Sequence, residues 1–473
     1  MSSIAEKVIE FEKSENPFSV QIGGVYVWER IRHKVNMIIG RALQDAPPVH
    51  EKSWNPTDLW KVIPRYFWNS INNGFFCVGS CPALFVGHQR RKLEEDGQWW
   101  DLYCDPIYES CKMDYAHFEF PYRTTHKSPA KTSEIKYLDA INIAKNIPLL
   151  GNPSLGSHDL NKIARWSNSL EGIFSVDIGL KELVVSTLKE RSTTMWLYRI
   201  LLRRVDPSLV VLTVSYGKEN LIEVCKSQKI PVVELQHGYI GENHLGYSLP
   251  PGGQKMMFPD YMLTFGKYWQ DKINFPIPDE RLIPVGFPYL EMKKAKYGKK
   301  SSVERNIIFI SQPTSGIELS KLASQVANSS DIKEKVVYKL HPHEYDNWKS
   351  RYPWLTKSEI MVVDADQPHL YEMFAKSTVQ VGANSTALYE GLAFGLSTLL
   401  YDDSGVQCSH DLIELGEATI VHNIDDVINS IKKLPKNPEN SVSEMVFRHN
   451  SGNHVCKALH KIYNKGTTYN SIL

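Results

Sequence analysis

Residues 377–402 read STVQVGANSTALYEGLAFGLSTLLYD, and this stretch decides the fold. The run STVQVG is strand-like, TALYEGLAFG is helical, and STLLYD is strand-like again, with Gly382 and Gly395 at the joints. A strand, a helix and a strand in that order make a parallel βαβ unit. Working outward, NIIFISQP (306–313), KVVYKLHP (335–342), IMVVDAD (360–366) and ATIVHN (418–423) are further strands. Helical runs at 317–327 and 369–376 lie between them. The whole is a doubly wound sheet whose ligands are expected at the carboxyl ends of its strands.

The same alternation occurs earlier in the chain. SLVVLTVSYG (208–217), IPVVELQHG (230–238), DYMLTFG (260–266) and RLIPVG (281–286) read as strands, and KENLIEVCKSQK (218–229) as a helix. GFFCVGSCPALFVG (74–87) reads as buried β structure. The first 45 residues are mainly helical, with Trp28, Ile31 and Val35 at helical spacing, until Pro47, Pro48 and Pro56 interrupt them. The basic run KKAKYGKKSSVER (293–305) reads as a linker. The expected organisation is α/β, with two Rossmann-like domains facing a central cleft. Residues 1–292 form the first domain, 306–440 the second, and 441–473 a terminal helix and tail.

Composition narrows the function. At 473 residues the chain is long enough for two cores. Lys+Arg 54 against Asp+Glu 53 leaves a net charge of +1, without the basic surplus of a dedicated nucleic-acid binder. Seven cysteines include no CxxC pair. Cys77 and Cys81 are four apart, with no second ligand pair at zinc spacing, and read as reduced thiols in a reducing cytoplasm. The polar start MSSIAEKVIEFEK is no signal peptide, and no apolar run approaches the ~20 residues that cross a bilayer. A cytoplasmic protein is expected, with peripheral attachment to an inner membrane open.

Three strand ends carry groups with chemistry. In Lys339–Glu344, KLHPHE, the strand stops at His341 because Pro342 has no donor for the ladder. A histidine there would hydrogen-bond a phosphate and neutralise a leaving group. In GANSTALYEG, Asn384, Ser385 and Thr386 open a helix whose free N–H groups and dipole favour an anion, and Glu390 lies a turn further on, where it would accept from ribose hydroxyls. In VVELQHGYIGENH, His237 ends a strand and would act as base towards an acceptor hydroxyl. Glu234 and Glu242 are rival carboxylates in that segment, and Asp105 is a further acidic candidate elsewhere in the first domain. His88, Arg90 and Arg91 follow a strand and would meet an anionic acceptor, with Gln236 beside His237. Trp54, Trp60, Trp68, Trp99 and Trp100 would stack on sugar rings, rest at a membrane surface or simply pack. Asp364-Ala365-Asp366 is strand-end and helix-cap chemistry, and no metal site is expected.

The order QHG, then KxHP, then G-x-N-S-T-x-x-x-E-G resembles the bacterial capsule and lipopolysaccharide glycosyltransferases of the GT-B type. Kdo transferases of capsule assembly and HP-motif sialyltransferases are the nearest groups, and CDP-glycerol glycerophosphotransferases are similar in layout. The resemblance covers residues 208–402. It implies a metal-independent enzyme without cofactor, using a CMP-activated donor such as Kdo or a sialic-acid-like nonulosonate, and a glycan or lipid-linked acceptor of surface polysaccharide. It implies that His341, with Lys339 and Pro342, meets the nucleotide phosphate, that Ser385 and Thr386 grip it, and that Glu390 binds ribose. A histidine base in a W-H-G triplet of the glycerophosphotransferases points to His237, although Gln236 stands where that family has Trp. A CDP-glycerol or UDP-sugar transferase, a UDP-sugar 2-epimerase and a non-catalytic subunit of a polysaccharide assembly complex are the competing readings.

Overall fold

The computed structural model describes residues 3–43, 56–146, 153–298, 305–365, 368–383, 385–402, 411–433 and 443–470. The chain divides into two units, 1–285 with 452–473, and 286–451. Asn384, Trp54 and 299–304 of the expected linker lie outside the described residues.

In the first unit the strands are β1 (Ala83–Val86), β2 (Lys92–Leu93), β3 (Trp99–Trp100), β4 (Tyr115–Glu119), β5 (Ile135–Tyr137), β6 (Leu209–Thr213), β7 (Val232–Leu235), β8 (Tyr261–Thr264) and β9 (Leu282–Pro284). Seven of them form a parallel sheet in the order β5-β4-β1-β6-β7-β8-β9, while β2 and β3 make a small antiparallel ribbon. Alternate residues along each strand bury into opposite layers, as the two-residue period of a strand requires. Leu84, Val86, Val210 and Leu212 enter one core, and Ala83, Phe85, Leu209 and Val211 the other. A third cluster joins helices Ile4–Glu15 and Trp28–Leu43 to Ser157–Phe174, around Val8, Phe11, Trp28 and Trp166.

The second unit holds β10 (Asn306–Ile310), β11 (Val336–Lys339), β12 (Ile360–Val363), β13 (Ser377–Gly382), β14 (Ser397–Tyr401) and β15 (Ala418–Val421), all parallel, in the order β12-β11-β10-β13-β14-β15. Each sheet grows first to one side of its opening strand and then to the other. The reversal falls between β1 and β6 in the first unit and between β10 and β13 in the second. These are topological switch points, where strand-end loops diverge and leave a crevice.

Several boundaries differ from the sequence reading. Within 293–305, residues 293–298 are the second half of helix Pro288–Gly298, in which Tyr289 and Tyr297 are buried. Burial of that face makes a helix of a segment whose charge suggests a linker. The terminal segment 441–473 is shared, because from Gly452 the helix Ser451–Asn470 belongs to the first unit. Its Val455, Ala458, Leu459 and Ile462 pack with Cys104 and Ile107. This packing brings Cys111 and Cys456 into a disulfide, with Cα atoms 5.4 Å apart, in contrast to the expected reduced state. Cys77 and Cys81 are free. Of the β structure expected over 74–87, only β1 is a strand, and Phe75–Cys77 is a 3₁₀ turn. Among the described residues no helix is long and apolar enough to cross a membrane.

Candidate functional site

At the first switch point the loops after β1, β6 and β7 bring His88, Ser215–Lys218 and His237 together. Val214, which ends β6's extended run, has φ 70°, a conformation that a β-branched residue rarely adopts. Such strain is held where the fold over-determines the backbone, and here it sets the course of the loop to Ser215 and Tyr216.

His237 is held from both sides. Tyr216 Oη lies 3.1 Å from its Nε2 and Tyr247 Oη 3.2 Å from its Nδ1. Glu234 is fully buried, and its Oε1 accepts from the Ser215 N–H at 2.9 Å and from the Tyr247 hydroxyl at 2.5 Å. Since Oε1 accepts from both, the Tyr247 proton points at Glu234, and the remaining Tyr247 lone pairs face His237. The imidazole proton is therefore assigned to Nδ1, which leaves Nε2 as an acceptor. Glu234 Oε2 and Ser215 Oγ are buried with no partner among the described residues.

The surroundings keep this imidazole neutral. Burial pushes its pKa well below the usual value, and His244, His88, Lys218 and His33 add to the effect. The His88 ring stacks on that of His237, with centroids 6.4 Å apart at 22°. His33 packs on Tyr216 at 4.4 Å and parallel to His244 at 5.9 Å. Burial first, then neighbouring cations, holds both His33 and His244 at about 4. Lys218 donates to Thr213 O at 2.9 Å and Val214 O at 2.6 Å, and burial lowers its ammonium to about 8. Tyr103 Oη donates to His237 O at 2.5 Å and fixes the backbone. The outcome is a neutral imidazole with Nε2 as its acceptor.

Of the other residues singled out in the first unit, Glu234 and His88 lie beside His237 and the rest do not. Glu242 is exposed and lines a separate pocket of about 520 Å³ with Glu6, Asn243 and Lys272. Gln236 is buried, donating from Nε2 to Gly238 O and accepting from Phe265 N at 2.7 Å, so it ties β7 to β8 and presents nothing to a ligand. Arg91, 5% exposed, donates to Glu119 at 2.7 Å and to Asp105, Thr132 and Trp99 O. Asp105, pushed up to about 7 by burial and by Asp101, belongs to the same network. Both are buried, Arg91 from the loop after β1 and Asp105 from the start of helix Asp105–Ser110, with their charges paired at 3.4 Å. Arg90 is exposed, with its N–H on His88 Nδ1 at 3.3 Å. The sequence reading passed over Tyr216, Lys218, Tyr247, His33 and His244. For the first two the signal was present, since SYGK directly follows a strand. His33 arrives from the distant helix Trp28–Leu43, whereas His244 and Tyr247 lie seven and ten residues beyond His237 on the loop after β7, where no periodicity marks them.

Asp101, Cys104 and His117 place donor atoms within 4.8 Å of one another. Their lone pairs are already engaged. Asp101 accepts from the N–H groups of His88, Tyr103 and Cys104, and the His117 nitrogens meet Tyr108 Oη and the Arg91 guanidinium. A cation there would have to displace Arg91. Nearby, His126 bridges Asp139 at 2.9 Å and Glu119 at 3.2 Å. Burial alone would lower its pKa, but the two carboxylates outweigh that and raise it. Its stabilising charge is present below the unfolded imidazole pKa and is lost as pH rises through the folded value. His126→Ala should therefore cost about 2 kcal/mol at pH 6 and clearly less at pH 9, measured by denaturant unfolding at both.

In the second unit the groups flank β10. At the end of β11 the His341 N–H donates to Glu344 Oε2 at 2.9 Å, and His341 Nδ1 accepts from the His343 N–H at 3.2 Å. In its neutral form His341 thus carries the proton on Nε2 as a donor. Pro342 is exposed at the first position of the 3₁₀ turn. The Lys339 ammonium donates to Tyr345 Oη at 2.6 Å and to Ala365 O, which anchors the turn instead of projecting from it. At the end of β13 Ser385 caps the helix Thr386–Ala393 by accepting from Ala387 N at 3.2 Å, and Thr386 and Glu390 are half-buried. Gly391 completes that motif because a Cβ there would fall 2.0 Å from Gln380 Oε1 of β13. The loop after β10 brings Ser315 to the start of helix Gly316–Ala327, its buried Oγ without a partner among the described residues. That serine also escaped the sequence reading.

No protein-family model and no curated protein matches the chain. Solved structures do. A Listeria monocytogenes protein described as a UDP-N-acetylglucosamine 2-epimerase is 10% identical, over 82% of this chain and 98% of its own, with a TM-score of 0.50. UDP-GlcNAc 2-epimerase from Neisseria meningitidis, bound to UDP-GlcNAc, is 12% identical over 81% and 99%, with a TM-score of 0.47. The wall teichoic acid polymerase TagF is 9% identical over 92% and 98%, also at 0.47. What the chain shares at such identities is the fold: two Rossmann-like α/β domains of the GT-B class.

Proposed function

We infer that this protein transfers a sugar from a nucleotide-activated donor to an acceptor hydroxyl. The observation that carries this reading is the state of His237, a neutral imidazole with its proton fixed on Nδ1 through Tyr247 and Glu234. An acceptor hydroxyl would take the place of the Tyr216 hydroxyl on Nε2 and lose its proton there as it attacks the anomeric carbon. The proton on Nδ1 stays in place, held by the Tyr247 hydroxyl that Glu234 orients.

The second unit would hold the donor. The His341 Nε2–H, the Thr386 hydroxyl and the N–H groups opening helix Thr386–Ala393 would meet the kind of anion a nucleotide phosphate presents. Glu390, a turn later, would accept from ribose hydroxyls. The charge that develops on the leaving phosphate would be met by His341. The HP turn and the Ser-Thr pair favour a cytidine monophosphate donor carrying a 3-deoxy-ulosonic acid. The fold is compatible with other nucleotide donors, so the donor is the first thing to measure.

Calorimetric titration with CMP, CDP, UMP, UDP and GDP should show selective CMP binding that is lost in His341→Ala. Preference for UDP would replace the CMP donor by a UDP-sugar, with turnover in the absence of any acceptor marking an epimerase. Preference for CDP would favour a CDP-glycerol donor. Absence of binding by all five would overturn the enzymatic reading.

A further inference from the structure

Helix Pro56–Asn72 is apolar on two sides. Val62 and Tyr66 are buried, and the helix packs on Asp139–Asn146, with Asn69 Nδ2 donating to Asp139 Oδ2 at 2.8 Å. On the opposite face, at the i, i+1 and i+4 positions that share a helical stripe, Phe67 is 63% exposed, Trp68 68% and Ile71 53%. A helix on the surface of a water-soluble domain normally turns polar residues outward there.

The exposed surface continues beyond the helix. The turn Phe75–Cys77 packs on both this helix and Leu180–Val205, with Phe76 60% exposed. The Arg204 guanidinium donates to Phe76 O at 3.2 Å and Val78 O at 3.1 Å, which sets a cation at the backbone of that turn. On Leu180–Val205 the outward face carries Trp196, 62% exposed, followed at helical spacing by the exposed Arg199 and Arg203. Neither 59–78 nor 191–205 contains an Asp or Glu.

We propose that this face docks on an anionic lipid bilayer, with Phe67, Trp68, Ile71, Phe76 and Trp196 entering the headgroup–acyl boundary and Arg199, Arg203 and Arg204 meeting lipid phosphates. Aromatic rings favour that boundary, and basic residues beside them add attraction to an anionic leaflet. A second copy of the chain fits less well. A two-fold interface sets the same patch against itself, and here that would bring arginines towards arginines without a carboxylate between them.

Flotation of the full chain with vesicles of equimolar phosphatidylglycerol and phosphatidylcholine tests this. The protein should float with them and not with pure phosphatidylcholine vesicles. Phe67→Ser/Trp68→Ser and, separately, Arg199→Glu/Arg203→Glu should each reduce partitioning by about tenfold or more, with unchanged melting curves because these side chains are exposed. Failure to float, equal binding to neutral vesicles, or variants that float like the parent would each overturn the proposal. So would a dimer in solution that Phe67→Ser/Trp68→Ser converts to monomer. None of these results depends on the donor or on the transfer reaction.

Discussion

His237→Ala should lower turnover by about two to four orders of magnitude, the range expected for loss of a positioned general base. Nucleotide binding should be unaffected, because the groups assigned to the nucleotide belong to the other unit. The sign of the pH dependence follows from the depressed pKa of His237. A base whose pKa is lowered stays deprotonated as pH falls through the ordinary imidazole range, so kcat/KM should remain flat there and decline only in more acid solution. Tyr247→Phe keeps the imidazole but removes the hydroxyl that fixes its tautomer, and a smaller loss of rate is expected. Nitrogen NMR of the His237 ring would show the proton leaving Nδ1 in that variant, whatever the activity. Near-normal turnover in His237→Ala would remove the base assignment.

His341→Ala should reduce turnover by about two orders of magnitude or more, the scale of losing one donor to a developing charge. Ser385→Ala with Thr386→Ala should do the same. Ser385 also caps its helix, and an alanine there costs about 1 kcal/mol of stability, so melting curves must accompany the rates. Thr386→Ala alone leaves the cap intact and separates the two effects. If single-turnover rates survive in His341→Ala and in Thr386→Ala with the fold intact, the donor-site assignment fails.

Much of this was legible in the sequence because strands and helices announce themselves by local periodicity. β6, β7, β8, β9 and all six strands of the second unit fall on runs whose apolar pattern marks them, and His237, His341 and Ser385 follow such runs directly. The loop Ser215–Lys218 lay equally open, directly after β6, but its residue types are ordinary for a turn. By contrast, Arg91 reads in sequence as a cation set to meet an anionic acceptor, yet it is buried against Glu119 and Asp105. The segment 293–298 looked like a linker, yet Tyr289 and Tyr297 draw it into a helix.

The two parallel α/β domains, and the strand ends at which His237, His341 and Ser385 stand, were legible in the chain alone, since the spacing of apolar residues and the glycines and prolines between them are local properties. The surroundings of His237 came from the tertiary structure, which brings Glu234 of β7, Tyr247 of the loop after it and Tyr216 of the loop after β6 to one imidazole. The tertiary structure also decided that the helix from Ser451 returns to the first unit, where Cys456 meets Cys111. Partners brought together by packing leave no periodic trace in the chain, because their separation in sequence bears no fixed relation to their distance in space.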